Sequence, residues 1–170
     1  TSTSPSRAII EDTRQQAEKH NHKNERWASE GASIVRSKLP FGDYAYTPKA
    51  AVDTKKDIYE LAMDLTVDHP RFRRECEAAR DMGCQLVVLV ENRSGVSSNR
   101  ELADWEEPVT HFKMRQRKSK NPKTQRWEGK RLAKACKTMN ERYGVIFDFC
   151  HPSEAWKRVL RILNYYEEVS

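Results

Sequence analysis

The sequence has no long hydrophobic run, and its few cysteines form no close pairs. No apolar stretch approaches the roughly 20 residues that a membrane-spanning helix needs. The absence of any C-x-x-C pair argues against a zinc site, and a disulfide framework would suit a smaller secreted chain. We therefore expect reduced, mostly buried thiols and an intracellular protein of the cytoplasm, nucleoid or nucleus. The cysteines are Cys76, Cys84, Cys136 and Cys150.

The chain has 170 residues, a length that suggests one domain with a real hydrophobic core. Charged residues make up 33% and apolar residues 37%, so the sequence is polar but not depleted like that of a disordered protein. A net charge of +6 favours a polyanionic partner, either a nucleic acid or an anionic membrane surface. Residues 1–6 are interpreted as a disordered leader, a tag remnant or a cut from a longer chain, and residues 7–170 as a single domain.

Hydrophobic periodicity predicts an α/β domain in the order β-α-β-β-α-β-α-β-α around one sheet. The run Leu86-Val87-Val88-Leu89-Val90 predicts a central strand that helices cover on both faces. After it, residues 92–126 carry no clear pattern and predict a basic loop at about 93–126. Strands are predicted at residues 8–11, 33–37 and 145–149, with a hairpin at 42–55. Helices are predicted near residues 15–28, 57–65, 70–82, 132–143 and 153–166.

Details of two helices follow from the same patterns. Phe72, Cys76, Ala79 and Met82 predict the buried stripe of one helix. Ser153 is expected to cap the last helix.

The central hairpin carries the main chemical signal. In a strand, Asp53 and Lys55 point to one face because side chains alternate. If Gly42-Asp43 ends the preceding strand, Asp43 folds back beside Asp53. Two acids can hold a hard divalent cation, and an amine can support the attacking water or the charge that develops on phosphorus. A solvated charged hairpin is the alternative, since the same acid-x-lysine spacing recurs at Glu128-Gly129-Lys130.

A second signal is a basic run between residues 113 and 126, with seven basic residues in fourteen and no acid. Clustered cations give affinity for a DNA backbone without sequence choice. A loop that only solubilises the protein is the alternative. Trp105 and Trp127 could stack on bases, but burial of a helix end is the expected role. The candidate DNA-binding residues are Lys113, Arg115, Arg117, Lys118, Lys120, Lys123 and Arg126.

Three short motifs in a fixed order resemble the XPF-type nuclease domains of the PD-(D/E)XK superfamily. They are Asp12-Thr13-Arg14-Gln15, Gly42-Asp43-Tyr44 and Asp53-Thr54-Lys55. The resemblance spans roughly residues 7–166. It implies a restriction-endonuclease-like core, with a mixed central sheet flanked by helices. No tandem helix-hairpin-helix region follows in this sequence, so a small stand-alone version, as in phages or mobile elements, is expected.

The resemblance also implies roles for individual residues. Asp43 and Asp53 would be metal ligands, and Lys55 would be the catalytic lysine. Asp12 and Arg14 would be supporting residues of the active site.

This sequence departs from the family pattern at three positions. Gln15 stands where the family usually has Glu, and Thr54 where it has Arg. The family's later Asp would fall on Tyr59, for which Asp57 or Glu60 could substitute. The Thr54 carbonyl is expected to be a further metal ligand.

The resemblance therefore implies a Mg²⁺- or Mn²⁺-dependent DNA endonuclease, with branched or junction DNA as the expected substrate and a homodimer or protein partner as a further possibility. A catalytically inactive DNA-binding or scaffold subunit of the same fold is the alternative. The intact set of Asp43, Asp53 and Lys55 argues against it, and the departures at Gln15 and Thr54 argue mildly for it. An RNA-binding α/β domain is a third interpretation, for which Tyr44 and Tyr46 give thin support.

Overall fold

The structure is a computed structural model that describes residues 8–12, 23, 33–37, 44–45 and 49–169. The described strands are β1 (Ala8–Asp12), β2 (Ser33–Ser37), β3 (Tyr44–Ala45), β4 (Ala50–Lys55), β5 (Gln85–Glu91) and β6 (Ile146–Cys150). They form one sheet in the order β2-β1-β3-β4-β5-β6. β3 runs antiparallel to both of its neighbours, and the other pairs are parallel. The sheet is therefore mixed, as predicted.

The core lies on both faces of β4 and β5. Val88 is completely buried, with Ala51 and Val90 on the same face, in a cluster that includes residues of four helices. Val52 and Leu89 face the opposite way and pack against the C-terminal helix. This arrangement explains the unbroken hydrophobic run of β5, because each of its faces is covered.

Two helices follow β4. Helix α1 spans Ile58–Leu65, and helix α2 spans His69–Asp81. The side chain of Asp57 caps α1 by accepting a hydrogen bond from the Glu60 amide. Pro70 lies in the first turn of α2, where its missing N–H costs nothing. One stripe residue was predicted wrongly: Met82 follows the end of α2 and is 55% exposed, because the helix stops before it can complete the buried face.

The segment at 93–126, which was predicted to be a basic loop, is partly helical, so this prediction of its secondary structure is wrong. It contains the short helix α3 (Asn99–Leu102) and the helix α4 (Val109–Ser119). No residue of α4 is buried. The helix therefore lacks the apolar stripe by which periodicity would reveal it.

The chain ends with two amphipathic helices. Helix α5 spans Gly129–Tyr143 and ends at Gly144, whose φ of 72° is left-handed. Helix α6 spans Ala155–Glu168 and follows a 3₁₀ turn at Pro152–Glu154. The predicted capping role of Ser153 is wrong, since it lies inside this turn and its amide bonds to the His151 ring.

The cysteines have the state that the sequence predicts. All four cysteines are free and buried, as expected, and burial raises the pKa of Cys136 to about 12. The helix predicted at residues 15–28 lies outside the described residues, apart from the helical Lys23. Within the described part of the chain, no helix combines the length and apolar character that crossing a bilayer requires.

Candidate active site

Asp53 and Lys55 lie side by side near the carboxyl end of β4. They share one face of the strand, as their spacing predicts, and Lys55 Nζ is 3.0 Å from Asp53 Oδ2. Only 5% of Asp53 and 6% of Lys55 is exposed. The pair is thus a buried ion pair at the edge of the core, which excludes the alternative of a solvated charged hairpin.

Asp64 completes this pair, and the sequence analysis did not find it. Its Oδ2 contacts Lys55 Nζ, and its Oδ1 accepts a hydrogen bond from Arg71 at 3.2 Å. Asp64 is only 3% exposed although it lies on α1 beside the buried Leu65. A charged residue on the apolar stripe of a helix was the signal that could have revealed it, because a buried carboxylate needs a partner.

The electrostatics of the site keep Lys55 charged. Burial alone would lower the pKa of this lysine, but attraction to Asp53 and Asp64 outweighs burial and raises it well above its usual range. Lys55 is therefore a permanent ammonium near neutral pH. It can donate hydrogen bonds and offset negative charge, but it holds its proton too tightly to act as a general base.

Helix α2 closes the site on one side. Lys55 Nζ lies 5.9 Å from the centre of the Phe72 ring, which is itself buried. Burial and the neighbouring acids Glu75 and Asp53 raise the pKa of the Cys76 thiol far above its ordinary value. Cys76 thus stays neutral and acts as an apolar wall.

A second polar cluster surrounds Glu107, which is fully buried. Arg115 binds both of its carboxylate oxygens, at 2.6 and 2.8 Å, and its guanidinium carbon lies 3.5 Å from the centre of the Trp127 ring. His111 and the Trp127 amide also bond to the Glu107 carboxylate. Arg126 donates to the Glu107 carbonyl at 2.6 Å. We call this set of residues the Glu107 clamp.

The clamp divides the seven predicted DNA-binding residues into two groups. Arg115 and Arg126 both donate hydrogen bonds to Glu107. The Trp127 side chain is only 7% exposed, so this residue packs in the core, as expected, and its ring is not accessible for stacking on bases. The other candidates are exposed. They are Lys113, Arg117, Lys118, Lys120 and Lys123. We call these five residues the basic surface.

Comparison with solved structures identifies the fold. The chain is similar to XPF from Aeropyrum pernix, with a TM-score of 0.62 and 13% sequence identity over 95% of this chain and 66% of that one. It is also similar to XPF from the same organism in complex with DNA, with a TM-score of 0.59 and 16% identity over 95% and 65% of the two chains. This chain has an XPF-like nuclease fold. The predicted restriction-endonuclease-like core is therefore confirmed.

The similarity has a defined extent. The chain spans about two thirds of the length of these two XPF chains. No protein-family profile and no curated protein sequence matches it. At this level of identity the likeness establishes the XPF-like fold, and the stand-alone phage or mobile-element origin stays a prediction.

Some predicted site residues of the XPF-like fold lie outside the described residues, namely Asp43 and Arg14. Asp12 is the last residue of β1. Tyr44, which follows Asp43 in the sequence, pairs with Val52, which precedes Asp53. The hairpin strand before β4 thus includes Tyr44 and Ala45, whereas the sequence analysis ended that strand at Asp43.

Of the two residues proposed to replace the family's later Asp, Asp57 has a visible structural role. Asp57 caps α1, and the Glu60 amide is its partner. The acid of α1 that reaches Lys55 is Asp64. Thr54 is 3% exposed and faces away from the ion pair, so the position where the family has Arg is a buried one in this chain.

A divalent cation fits the donor chemistry of this XPF-like site. Asp53 supplies a carboxylate and Thr54 a backbone carbonyl, the oxygen donors that Mg²⁺ and Mn²⁺ prefer. Among the described residues, no three His, Cys, Asp or Glu side chains are grouped so that they could hold a metal ion. A complete ligand set therefore needs a carboxylate from beyond the described segments, and Asp43 is the predicted one.

Proposed function

We propose that this chain is a Mg²⁺- or Mn²⁺-dependent endonuclease that hydrolyses phosphodiester bonds in DNA. The observation that supports this most directly is the buried Asp53–Lys55 pair, 3.0 Å apart at the end of β4 in an XPF-like fold. Burial of two charges is costly unless they are paired. The Asp53–Lys55 pair lies at a strand end and has the spacing of a nuclease motif. A catalytic role therefore explains it better than a contribution to the stability of the fold.

In this proposal Asp43, Asp53 and the Thr54 carbonyl hold the metal. When bound, the metal would polarise the scissile phosphate and lower the pKa of a water molecule. Asp12 and Arg14 would be supporting residues.

Lys55 would then act through its charge. Its ammonium, held protonated by two carboxylates, donates hydrogen bonds that orient the attacking water or offset the charge that develops on phosphorus. Asp64 contacts Lys55 from α1 and fixes the position of its Nζ. Asp64 is thus a positioning residue in this proposal, and Glu60 of the same helix would be a supporting residue.

The basic surface would bind the DNA backbone. Its lysines and arginine are exposed on α4 and on the turn that follows it, and the Glu107 clamp fixes the orientation of that helix. One of the XPF structures is a complex with DNA. Branched or junction DNA is our proposed substrate, and a homodimer or protein partner is a further proposal.

A cleavage assay tests this function. Purified chain in Mg²⁺ should nick branched and linear DNA, and chelation should stop it. Asp53→Asn should lower the rate roughly a thousandfold, because a lost ligand forfeits several kcal/mol of transition-state stabilisation. The control is Lys130→Ala, which removes the lysine of Glu128-Gly129-Lys130 on the exposed side of α5 and should cleave normally. Wild-type cleavage by Asp53→Asn would refute the site.

The second candidate is a catalytically inactive DNA-binding or scaffold subunit. It is favoured by one observation: Lys55 already pairs with Asp53 and Asp64, and Arg71 also pairs with Asp64, so both acids have cationic partners without a metal. In that case the chain would bind DNA equally well with and without Mg²⁺, and no condition would give cleavage above that of Asp53→Asn.

A further inference from the structure

A cavity of about 290 Å³ opens at the edge of the sheet where β4, β5 and β6 end. These three strands are parallel, so the residues that follow them meet at one edge. Ligands of open α/β sheets characteristically bind outside the carboxyl ends of the strands. Lys56 comes from the end of β4, Arg93 from the end of β5 and Pro152 from the end of β6.

Two cations of this cavity are available for an anion. Lys56 and Arg93 both line it and are exposed. Neither forms an ion pair with an acid among the described residues, whereas Arg71 near the active site pairs with Asp64. The acid in the lining, Asp57, is engaged as the cap of α1. The cavity therefore presents net positive charge, as a phosphate group requires.

The loop that carries Arg93 is held in a fixed conformation. The side-chain oxygen of Asn92 accepts hydrogen bonds from the amides of Ser94 and Val96, and its nitrogen donates to the Val96 carbonyl. Asn92 is buried, and its own amide bonds to the Cys150 carbonyl of β6. Arg93 is thus presented by a preformed turn, which reduces the entropy lost on binding.

Two aromatic rings form the other part of the lining. Tyr59 and Trp105 are half-buried and meet edge to face, with ring centres 5.7 Å apart. His111 stacks on Tyr59 at 3.8 Å and supports it from one side. The backbone of Trp105 is fixed, since its carbonyl accepts a hydrogen bond from Gly129 at 2.7 Å. Supported rings beside cations are the elements that bind a base next to its phosphate.

We propose that this cavity binds one unpaired nucleotide of a single-stranded DNA segment, with its phosphate at Lys56 and Arg93 and its base against Trp105 and Tyr59. A base inside a duplex is stacked and paired, so it cannot offer its face to these rings. Lys56 directly follows Lys55 of the active site. The assignment of DNA as the ligand rests on the proposed nuclease function, and the cavity would give that nuclease its preference for unpaired strands.

The test measures binding without metal. A short labelled oligothymidylate and a matched duplex are titrated in EDTA, and fluorescence anisotropy gives both affinities. Lys56→Ala/Arg93→Ala should weaken single-strand binding about tenfold and change duplex binding little. The matched control is Lys130→Ala/Lys134→Ala, which removes the same charge from exposed positions of α5 and should leave the ratio of the two affinities unchanged.

The aromatic part has its own readout. Wild-type protein should bind oligothymidylate better than an abasic strand of equal length, and Trp105→Ala should lose this preference. Trp105→Phe should keep most of it, because a ring remains. Thermal melting confirms that each variant is folded.

An unchanged affinity ratio in Lys56→Ala/Arg93→Ala, or an equal loss of single-strand binding in the control, would overturn the proposal. A preference for bases over abasic sites that survives in Trp105→Ala would overturn it as well. So would tighter binding of a matched oligouridylate. Displacement by equimolar free thymidine monophosphate would assign the cavity to free nucleotides and would also overturn it. Because no metal is present, this test can succeed for a chain that never cleaves DNA and fail for one that does.

Discussion

The Lys55 ammonium contacts the Asp64 carboxylate, so a lysine of strand β4 is tied to the last turn of helix α1. Asp53 holds the same ammonium from the strand itself, at 3.0 Å. The lysine is therefore the counter-charge of two buried acids, in addition to any role in catalysis.

Removing this counter-charge should destabilise the protein. Lys55→Met leaves Asp53 and Asp64 facing each other in a site of low dielectric constant, and we expect a loss of about 3–5 kcal/mol in the free energy of unfolding. Urea denaturation measures it. Lys130→Met is the control at an exposed lysine, with an expected change within about 0.5 kcal/mol.

The same experiment can isolate the pair. Adding Asp64→Asn to Lys55→Met removes one of the two unpaired charges and should recover part of the lost stability. If the losses of the two single variants simply add, the Lys55–Asp64 contact contributes nothing to the folded state.

Lys55 also predicts a pH dependence. Its pKa is raised in the folded state, so its contribution to stability is fully present below the unfolded pKa of roughly 10.4 and is lost only as pH rises through the higher folded value. The stability difference between wild type and Lys55→Met should therefore not shrink from neutral pH to about pH 9. Urea unfolding across that range tests it, and a difference that shrinks toward pH 9 would show that the pKa of Lys55 is lowered instead.

The basic residues of helix α4 should differ in whether they contribute to DNA binding or to stability. Lys113→Ala/Arg117→Ala/Lys118→Ala should weaken DNA binding and make the salt dependence of log affinity shallower by about 0.9 per lost phosphate contact. Stability should hardly change, because these side chains are exposed. An unaltered salt slope would mean that the basic surface does not bind DNA.

Arg115→Ala should act differently. It leaves the buried carboxylate of Glu107 without its bidentate partner and should cost about 3–5 kcal/mol of stability. Its neighbour Arg117→Ala is the matched control, with an expected change within about 0.5 kcal/mol. Equal melting of the two variants would contradict the clamp.

Gly129 should tolerate no side chain. A Cβ there would lie 2.1 Å from the Leu102 carbonyl oxygen and 2.2 Å from that of Trp105, and both are backbone atoms that cannot rotate away. Gly129→Ala should therefore destabilise the protein by at least the 1–3 kcal/mol that is typical, roughly, of overpacking. Denaturation of Gly129→Ala beside Lys130→Ala measures the effect, and equal stability would show that α5 can shift to make room.

The alternation of β4 could be predicted because it is local. A period of two places Asp53 and Lys55 on one face in any strand, whatever packs on it. Asp64 could not be placed in this way. Its contact with Lys55 depends on how α1 crosses the sheet, and that crossing depends on the packing of the core cluster that contains Leu61 and Val88.

Helix α4 was missed for a different reason. Its residues carry no buried stripe, and the contacts that orient it come from Glu107 before the helix and Trp127 after it. Periodicity detects apolar burial, whereas this helix is attached through charges whose partners are distant in sequence. The exposed lysines of the basic surface were predicted by composition alone, but composition could not distinguish Arg115 from Arg117.

The Glu107 clamp also determines how the molecule opens. Because no residue of α4 is itself buried, we expect the helix to open as a separate cooperative unit, in an opening that uncovers Glu107 and the Trp127 ring but leaves the sheet packed. In hydrogen-exchange measurements the amides of α4 should exchange through this local opening, whereas the amides of β5 should exchange only when the whole domain unfolds. Burial alone would raise the pKa of Glu107, but the bonds from Arg115, the Trp127 amide and His111 lower it, so the attachment of α4 loosens as acid protonates that carboxylate. The attachment of α4 to the domain therefore depends on the ionised carboxylate of Glu107, and it weakens at low pH.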